Sequence, residues 1–478
     1  MAARIDLGEH LPTEPASRRI TGDTQFMFQF YKPCFQFYAP HALTSQRMGA
    51  SSLRASLVAA LRSCPLLLGR FVVHDDQSIS LDYNPERPNA PTLEFHDAAL
   101  SFAELRQRGF AYSLASEHQM DLAIPDGSIS RGFDLPLLLV KVSYLRGGGV
   151  AVFSMSNHVA FDGNAVFSFL AHWAACNRAL AEPQASVALP DALQTYATSL
   201  VRHTGNEPAA GPVEISVDAT RTPDEIATAI TRVVARSSMR ACVFSITTAS
   251  LARLKQQVSD SGVLAAGEWV STNNVLAAFV AQHVVQANMD AQTYDAGAWT
   301  VFQSLDMRRP LGLAPRGLGS PIMLAECQAS YAEITDAAGL PALARRVRGS
   351  VDKYDAAYLQ DAVDWMHAAY RRLAQSDVAE PWRHFWFTAL NTNRRCVGVS
   401  CMNRIPIYDA DFGAGRPQMA RSFNPRPNYV IVFPGPPAVT ASAEYDTLHL
   451  YVTLEQPAMD ALRADPGWSE LCTLVSEF

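Results

Sequence analysis

Leu53, Leu57 and Leu61 fall four apart between Ser52 and Arg62, which predicts a helix with one core-facing side and a serine able to cap it. Pro65 stops that helix, and Leu66 to Val73 then predicts a chain running into a buried strand. Leu137 to Tyr144 and Val150 to Ser156 are apolar runs of strand length on either side of Arg146-Gly147-Gly148-Gly149, the pattern of a β-hairpin. The segment Asn157-His158-Val159-Ala160-Phe161-Asp162-Gly163 follows directly and precedes an amphipathic stretch from Ala165 to Leu180. His158 is therefore expected at a strand-to-helix turn, with its backbone held from both sides.

Between His203 and Val217 the periodicity stops and Gly, Pro, Asn and Glu take over, which predicts a surface linker. Residues 1–203 read as one domain, 204–239 as a crossover and 240–478 as a second domain. In the crossover, Thr222-Pro223-Asp224-Glu225 predicts a capped helix start. Ala241 to Ile246 predicts a strand, followed by a helix with Leu251, Leu254 and Val258 on one face. A further helix from about Asn273 to Ala287 carries Val275, Leu276, Phe279 and Val280, with His283 as a packing residue. Leu448 to Leu454 predicts a strand and Gln456 to Arg463 a terminal helix. Elements of both kinds alternate without regular βαβ units, so mixed α/β layers are expected.

Composition narrows the function classes. Nearly half of the 478 residues are hydrophobic and 18% are charged, which suits globular domains with sizeable cores. A net charge of -7 argues against nucleic acid or an anionic membrane as the main partner. The polar start, Met1 to Ile20, lacks the apolar core of a secretory signal, and no apolar run is long enough to span a bilayer. The eight cysteines are scattered without a C-x-x-C pair, so free thiols and a cytoplasmic site are expected.

His158 is the leading candidate for chemistry. A turn between a strand and a helix can aim an imidazole into a cleft on rigid support, as a general base requires. The turn itself is satisfied by Gly163, suited to a positive φ, and by Asp162, able to bond backbone groups locally. The plain alternative is a buried histidine satisfied by backbone. A metal site on His158 and Asp162 lacks further ligands, and Gly398-Val399-Ser400-Cys401-Met402 lacks the last glycine of a hydrolase nucleophile elbow.

A second motif, Asp411-Phe412-Gly413-Ala414-Gly415, lies towards the end of the chain. With His158-x-x-x-Asp162-Gly163 it resembles the BAHD acyltransferase family, whose members carry H-x-x-x-D-G near mid-chain and D-F-G-W-G near the C-terminus. Cys64-Pro65-Leu66 to Gly69-Arg70, Val270-Ser271-Thr272-Asn273 and Asp306-Met307-Arg308-Arg309-Pro310 are similar to further family elements. Two positions and one stretch depart from the pattern: Ala414 and Met402 stand where the family has tryptophan, and Leu318-Gly319-Ser320-Pro321 only partly matches its Y-x-G-N.

The resemblance implies two similar mixed-sheet domains of the chloramphenicol acetyltransferase type, joined by a crossover, with a channel between them. It implies an acyltransferase with no permanently bound cofactor and no metal, using acyl-CoA as co-substrate and a small alcohol or amine as acceptor; a monomer is the default expectation. His158 would be the general base, with no covalent enzyme intermediate. Ser400 would donate to the oxyanion, although an ordinary strand serine is an equal alternative. Asp162 and Asp411 would hold their turns through basic residues, Arg308 being a candidate for either, with Gly163, Gly413 and Gly415 shaping the backbone. Ser271 and Thr272 would contact CoA. A condensation domain fed by carrier proteins shares the H-x-x-x-D-G turn, but Asn157 stands where it usually has a second histidine. A catalytically silent ligand-binding member is the third reading.

Overall fold

The structure, a computed structural model, describes residues 11–20, 31–74, 79–123, 135–181, 187, 193, 204–212, 215–217, 220, 225, 238–294, 297–336, 338–376, 378, 384–387, 395–423, 426–437 and 445–477. Its strands are β1 (Ala16–Ile20), β2 (Tyr31–Tyr38), β3 (Arg70–Val73), β4 (Ile79–Tyr83), β5 (Thr92–Ser101), β6 (Leu138–Arg146), β7 (Val150–Asn157), β8 (Ile215–Val217), β9 (Met239–Thr247), β10 (Ala298–Asp306), β11 (Ile322–Ser330), β12 (Phe385–Phe387), β13 (Cys396–Cys401), β14 (Met419–Ser422), β15 (Tyr429–Pro434), β16 (Thr447–Glu455) and β17 (Cys472–Glu477). The first half is built on a five-stranded sheet in the order β14-β2-β7-β6-β5, and the second on a seven-stranded sheet in the order β11-β10-β13-β15-β16-β9-β17. Both are mixed, with β5 and β6 parallel in one and β10, β13 and β15 parallel in the other.

Period-two patterning explains why β7 reads as an unbroken apolar run. Val150 and Val152 enter one buried cluster, while Ala151, Phe153 and Met155 enter another on the opposite face. In the second sheet, Val430 and Val432 of β15 pack beneath helix Thr272–Asp290. Ile431 and Phe433 of the same strand join the core of the first half. That shared face is where the two sheets meet.

The predicted hairpin is β6 and β7, antiparallel, with Gly147 and Gly148 at φ of 86° and 104° in its turn. The helices expected around Leu53 and Leu251 and from Asn273 occupy Ala50–Ser63, Thr248–Ser259 and Thr272–Asp290, and the terminal pair is β16 and Gln456–Ala464. His283 packs against Phe279 and Trp468 and pairs through Nδ1 with Asp465 Oδ2 at 2.6 Å.

Several expectations need correction. No serine caps Ala50–Ser63: Gly49 is the N-cap, and Ser52 lies inside the helix, donating to Gln46 O at 3.2 Å. Leu66 to Leu68 form a 3-10 turn, so the strand begins only at Arg70. The helix start expected at 222–224 lies outside the described residues. Finally, β14 belongs to the first sheet although it lies beyond residue 400, pairing with β2 from Met419↔Phe37 to Ser422↔Cys34. Helix Ala356–Gln375 likewise sends Leu359, Val363 and Met366 into the core of the first half.

Candidate active site

β7 ends at Asn157, whose side-chain Oδ1 accepts from Val159 N at 3.0 Å and whose carbonyl accepts from Phe161 N at 3.0 Å. These bonds close the turn that carries His158. Asp162 is the N-cap of helix Gly163–Ala179, its Oδ1 accepting from Ala165 N at 2.9 Å. Its other oxygen accepts from Arg308 Nη1, and both side chains are buried. Arg308 Nη2 donates to the carbonyls of Gly317 and Gly319 at 2.7 and 3.1 Å. Gly319 completes the clamp, bonding Ala160 O through its N–H at 2.9 Å and Asp162 N through its carbonyl at 3.2 Å.

This clamp brings Ser320 to the histidine. Ser320 Oγ lies 3.1 Å from His158 Nδ1. The sequence marked Ser320 only as part of an incomplete motif match, because its contact with His158 spans 162 positions and depends on the Gly319 bridge.

His158 is part-buried and lines a cavity of about 140 Å³ between the two sheets. Ser154, Ser156 and His158 succeed one another at spacing two, so one face of β7 and its extension points into the space. Ser304 and Asp306 of β10, Ser400 of β13 and Ile431 of β15 supply the opposite wall. His158 and Ser400 therefore share one cavity, reached from opposite sheets. Burial pushes the His158 imidazole down to about 3, with the Lys32 ammonium and, more weakly, the Arg426 guanidinium acting the same way. The ring is neutral at neutral pH, and further from protonation than the ordinary value near 6.5 suggests. Burial pushes the Asp162 carboxyl up, against the pull of Arg308.

Gly163 does not adopt a positive φ: it is the first residue of its helix. Space beside it is tight, since an added Cβ would lie 2.8 Å from Met402 Sδ and that flexible side chain would have to yield. Met402, at one of the family's tryptophan positions, is part of the wall beside the turn that carries His158.

The Asp411 loop sits elsewhere. Its carboxylate Oδ1 accepts from the N–H groups of Gly413 and Gly415 at 2.7 and 3.1 Å, and both glycines have φ of 93°. Among the described residues no basic side chain pairs with that carboxylate; Arg308 is engaged with Asp162 and Asp306, and Arg178 reaches only the Asp411 carbonyl. Among the described residues, that carboxylate serves as a backbone cap and not as half of the expected ion pair. The loop docks on the first half, with Phe412 edge-on to Trp173 at 4.9 Å and its carbonyl accepting from Asn177 Nδ2 at 2.8 Å.

Ser271 and Thr272 stand at the start of helix Thr272–Asp290, outside the lining of the His158 cavity. Ser271 Oγ accepts from Asn274 N at 3.1 Å and donates to Asn274 Oδ1 at 2.6 Å, so it serves as the helix cap. No group of three or more His, Cys, Asp or Glu among the described residues is arranged to hold a metal ion. No helix among them is long and apolar enough to cross a membrane.

Comparison with known proteins agrees with this architecture. A hydroxycinnamoyltransferase of Narcissus pseudonarcissus is 26% identical over 415 residues, covering 81% of this chain and 82% of the relative. The O-acyltransferase pigD of Monascus ruber is 22% identical over 344 residues, 70% of this chain and 69% of its own. The F. graminearum TRI101 crystal structure with ethyl coenzyme A superposes with a TM-score of 0.76 at 16% identity, over 97% of this chain and 100% of that one. The model of the Transferase family matches residues 21–467. The chain belongs to that family, the BAHD acyltransferases, and is an acyltransferase.

Proposed function

We propose that this protein moves an acyl group from an acyl-CoA to a hydroxyl or amine of a small secondary metabolite, with His158 as general base. The observation that carries the reading is the imidazole on the cavity wall with Nδ1 3.1 Å from Ser320 Oγ. An Nδ1–H donating to Ser320 leaves the Nε2 lone pair for the acceptor's proton. The acceptor's oxygen or nitrogen attacks the thioester carbonyl as Nε2 takes its proton, and a tetrahedral oxyanion forms. Its collapse breaks the carbon–sulfur bond, and the proton on His158 goes to the departing CoA thiolate. No bond to the enzyme is made. The depressed imidazole is unprotonated at rest and so free to accept a proton, and negative charge developing on the oxyanion favours the imidazolium as the reaction proceeds. Ser400, on the facing strand, is placed in this reading as a donor to that oxyanion.

CoA as the carrier draws support from the TRI101 structures, which hold coenzyme A or ethyl coenzyme A. The N-terminus of helix Thr272–Asp290 offers partial positive charge for its phosphates, with the Thr272 hydroxyl beside it. Asp162, Gly163, Arg308, Asp411, Gly413 and Gly415 are assigned to shaping the site. We assign the protein to the cytoplasm as a monomer.

Incubation with mixed acyl-CoAs and a metabolite extract, read by mass spectrometry, tests the proposal. One or more metabolites should gain an acyl mass in a His158-dependent manner. Binding without turnover across a broad panel would favour a silent ligand-binding member instead.

A further inference from the structure

The cavity beside His158 holds a cation that the proposed reaction does not use. Lys32 lies on β2 directly across from Ser156 of β7, and its side chain lines the same cavity as His158. Its neighbours on that wall, Cys34, Ser154, Ser156 and Ser422, carry no charge. Two carboxylates border the space, and both are engaged. Asp162 accepts from Arg308 and Ala165 N, while Asp306 accepts from Arg308 at 3.1 Å and from Asn164 Nδ2 at 2.7 Å. Among the described residues no carboxylate pairs with Lys32. Burial, and after it the Arg426 guanidinium that adds to the positive field, pushes the Lys32 ammonium down to about 7.

A part-buried ammonium that no described carboxylate pairs loses hydration without that return, so an anion entering the cavity offsets the cost. The position of the space narrows which anion: it adjoins His158, where in the proposed reaction an acceptor or an acyl chain must lie. We infer that Lys32 recognises a carboxylate carried by one of the two reactants, either an acidic alcohol or amine as acceptor or a dicarboxylic acyl group as its CoA thioester. The inference rests on the acyl-transfer reading and adds a substrate class to it.

Calorimetric titration of the wild-type protein, Lys32→Met and Lys32→Arg tests this with two matched pairs of probes. The acceptor arm compares 3-hydroxybenzoate with its methyl ester, and the donor arm compares malonyl-CoA with acetyl-CoA. In one arm the wild type should prefer the acid by about tenfold or more, as a charge-assisted hydrogen bond provides. Lys32→Met should erase that preference and Lys32→Arg retain part of it, and the arm that responds identifies the reactant. Equal binding within both pairs, or a preference that survives in Lys32→Met, would overturn the inference. Weakened binding of CoA itself in Lys32→Met would also overturn it, by giving Lys32 to the phosphates. These titrations read binding and not turnover. Acids held through Lys32 without acyl transfer would sink the proposed reaction alone, and acyl transfer without a preference for acids would sink this inference alone.

Discussion

Arg308 donates through Nη1 to Asp162 Oδ2 across 146 positions of sequence, and the same guanidinium holds the carbonyls of Gly317 and Gly319. One buried cation thereby ties the turn that carries His158 to the segment that carries Ser320. Asp162 is placed to position the turn, not to polarise the imidazole, whose Nδ1 faces Ser320.

Asp162→Ala leaves that guanidinium, 1% exposed, with the half-exposed Asp306 as its remaining carboxylate partner, so the cost should fall below the roughly 3–5 kcal/mol of a fully stranded buried charge. Asp162→Asn keeps an N-cap acceptor and should lose less. Thermal melting checks both variants: a clear drop for alanine and a smaller one for asparagine is expected. An alanine variant that melts like the wild type yet fails in catalysis would give Asp162 a chemical role instead.

Asp411→Ala removes one acceptor shared by two backbone N–H groups, at a cost of about 1–3 kcal/mol. That is less than the loss of a buried ion pair. The expected result is a lower melting temperature with a folded core retained, and Asp411→Asn should recover part of it. Loss of native circular dichroism at room temperature in Asp411→Ala would contradict a cap and indicate a larger anchoring role.

Stability should fall as the solution is acidified below about 6.5, the ordinary histidine value. Burial holds His158 and His449 down to about 3, with Lys32 and Arg421 respectively as the next causes. Between those values the unfolded chain binds protons that the folded chain does not, so the stability linked to these two histidines is full above 6.5 and is lost progressively towards 3. Melting temperatures measured at pH 7.5, 6.0 and 5.0 should decline in that order, and His449→Gln should flatten the decline. While the fold persists, activity should show no acidic limb centred at 6.5; a limb there would contradict a buried, neutral His158.

The elements around the site were legible because their patterning is local. A hairpin, a turn and an amphipathic helix follow one another from Leu137 to Leu180, and the chain folds them in that order. The partners of the turn were not legible, because they are set by contacts between distant segments. Ser320 reaches His158 only through the Gly319 bridge, and β14 has four residues with no periodicity of their own, yet it completes a sheet begun at Tyr31. Gly163 shows the same limit in reverse. Its identity was visible, but it has no positive φ, and the neighbour it meets, Met402, comes from a distant segment. Lys32 escaped notice because a lysine among Tyr31, Pro33 and Cys34 signals nothing until β2 is seen beside β7.

The central claim is that His158 takes the acceptor's proton directly. Steady-state kinetics of His158→Ala, with intact-mass analysis of the wild-type protein held in acyl-CoA, tests it most directly. General base catalysis contributes roughly a hundred- to ten-thousand-fold, so kcat should fall by that factor while KM and melting temperature stay close to wild type, and no acyl mass should appear on the protein. Near-normal kcat in the variant, or a stable acyl adduct on the wild-type chain, would contradict the account.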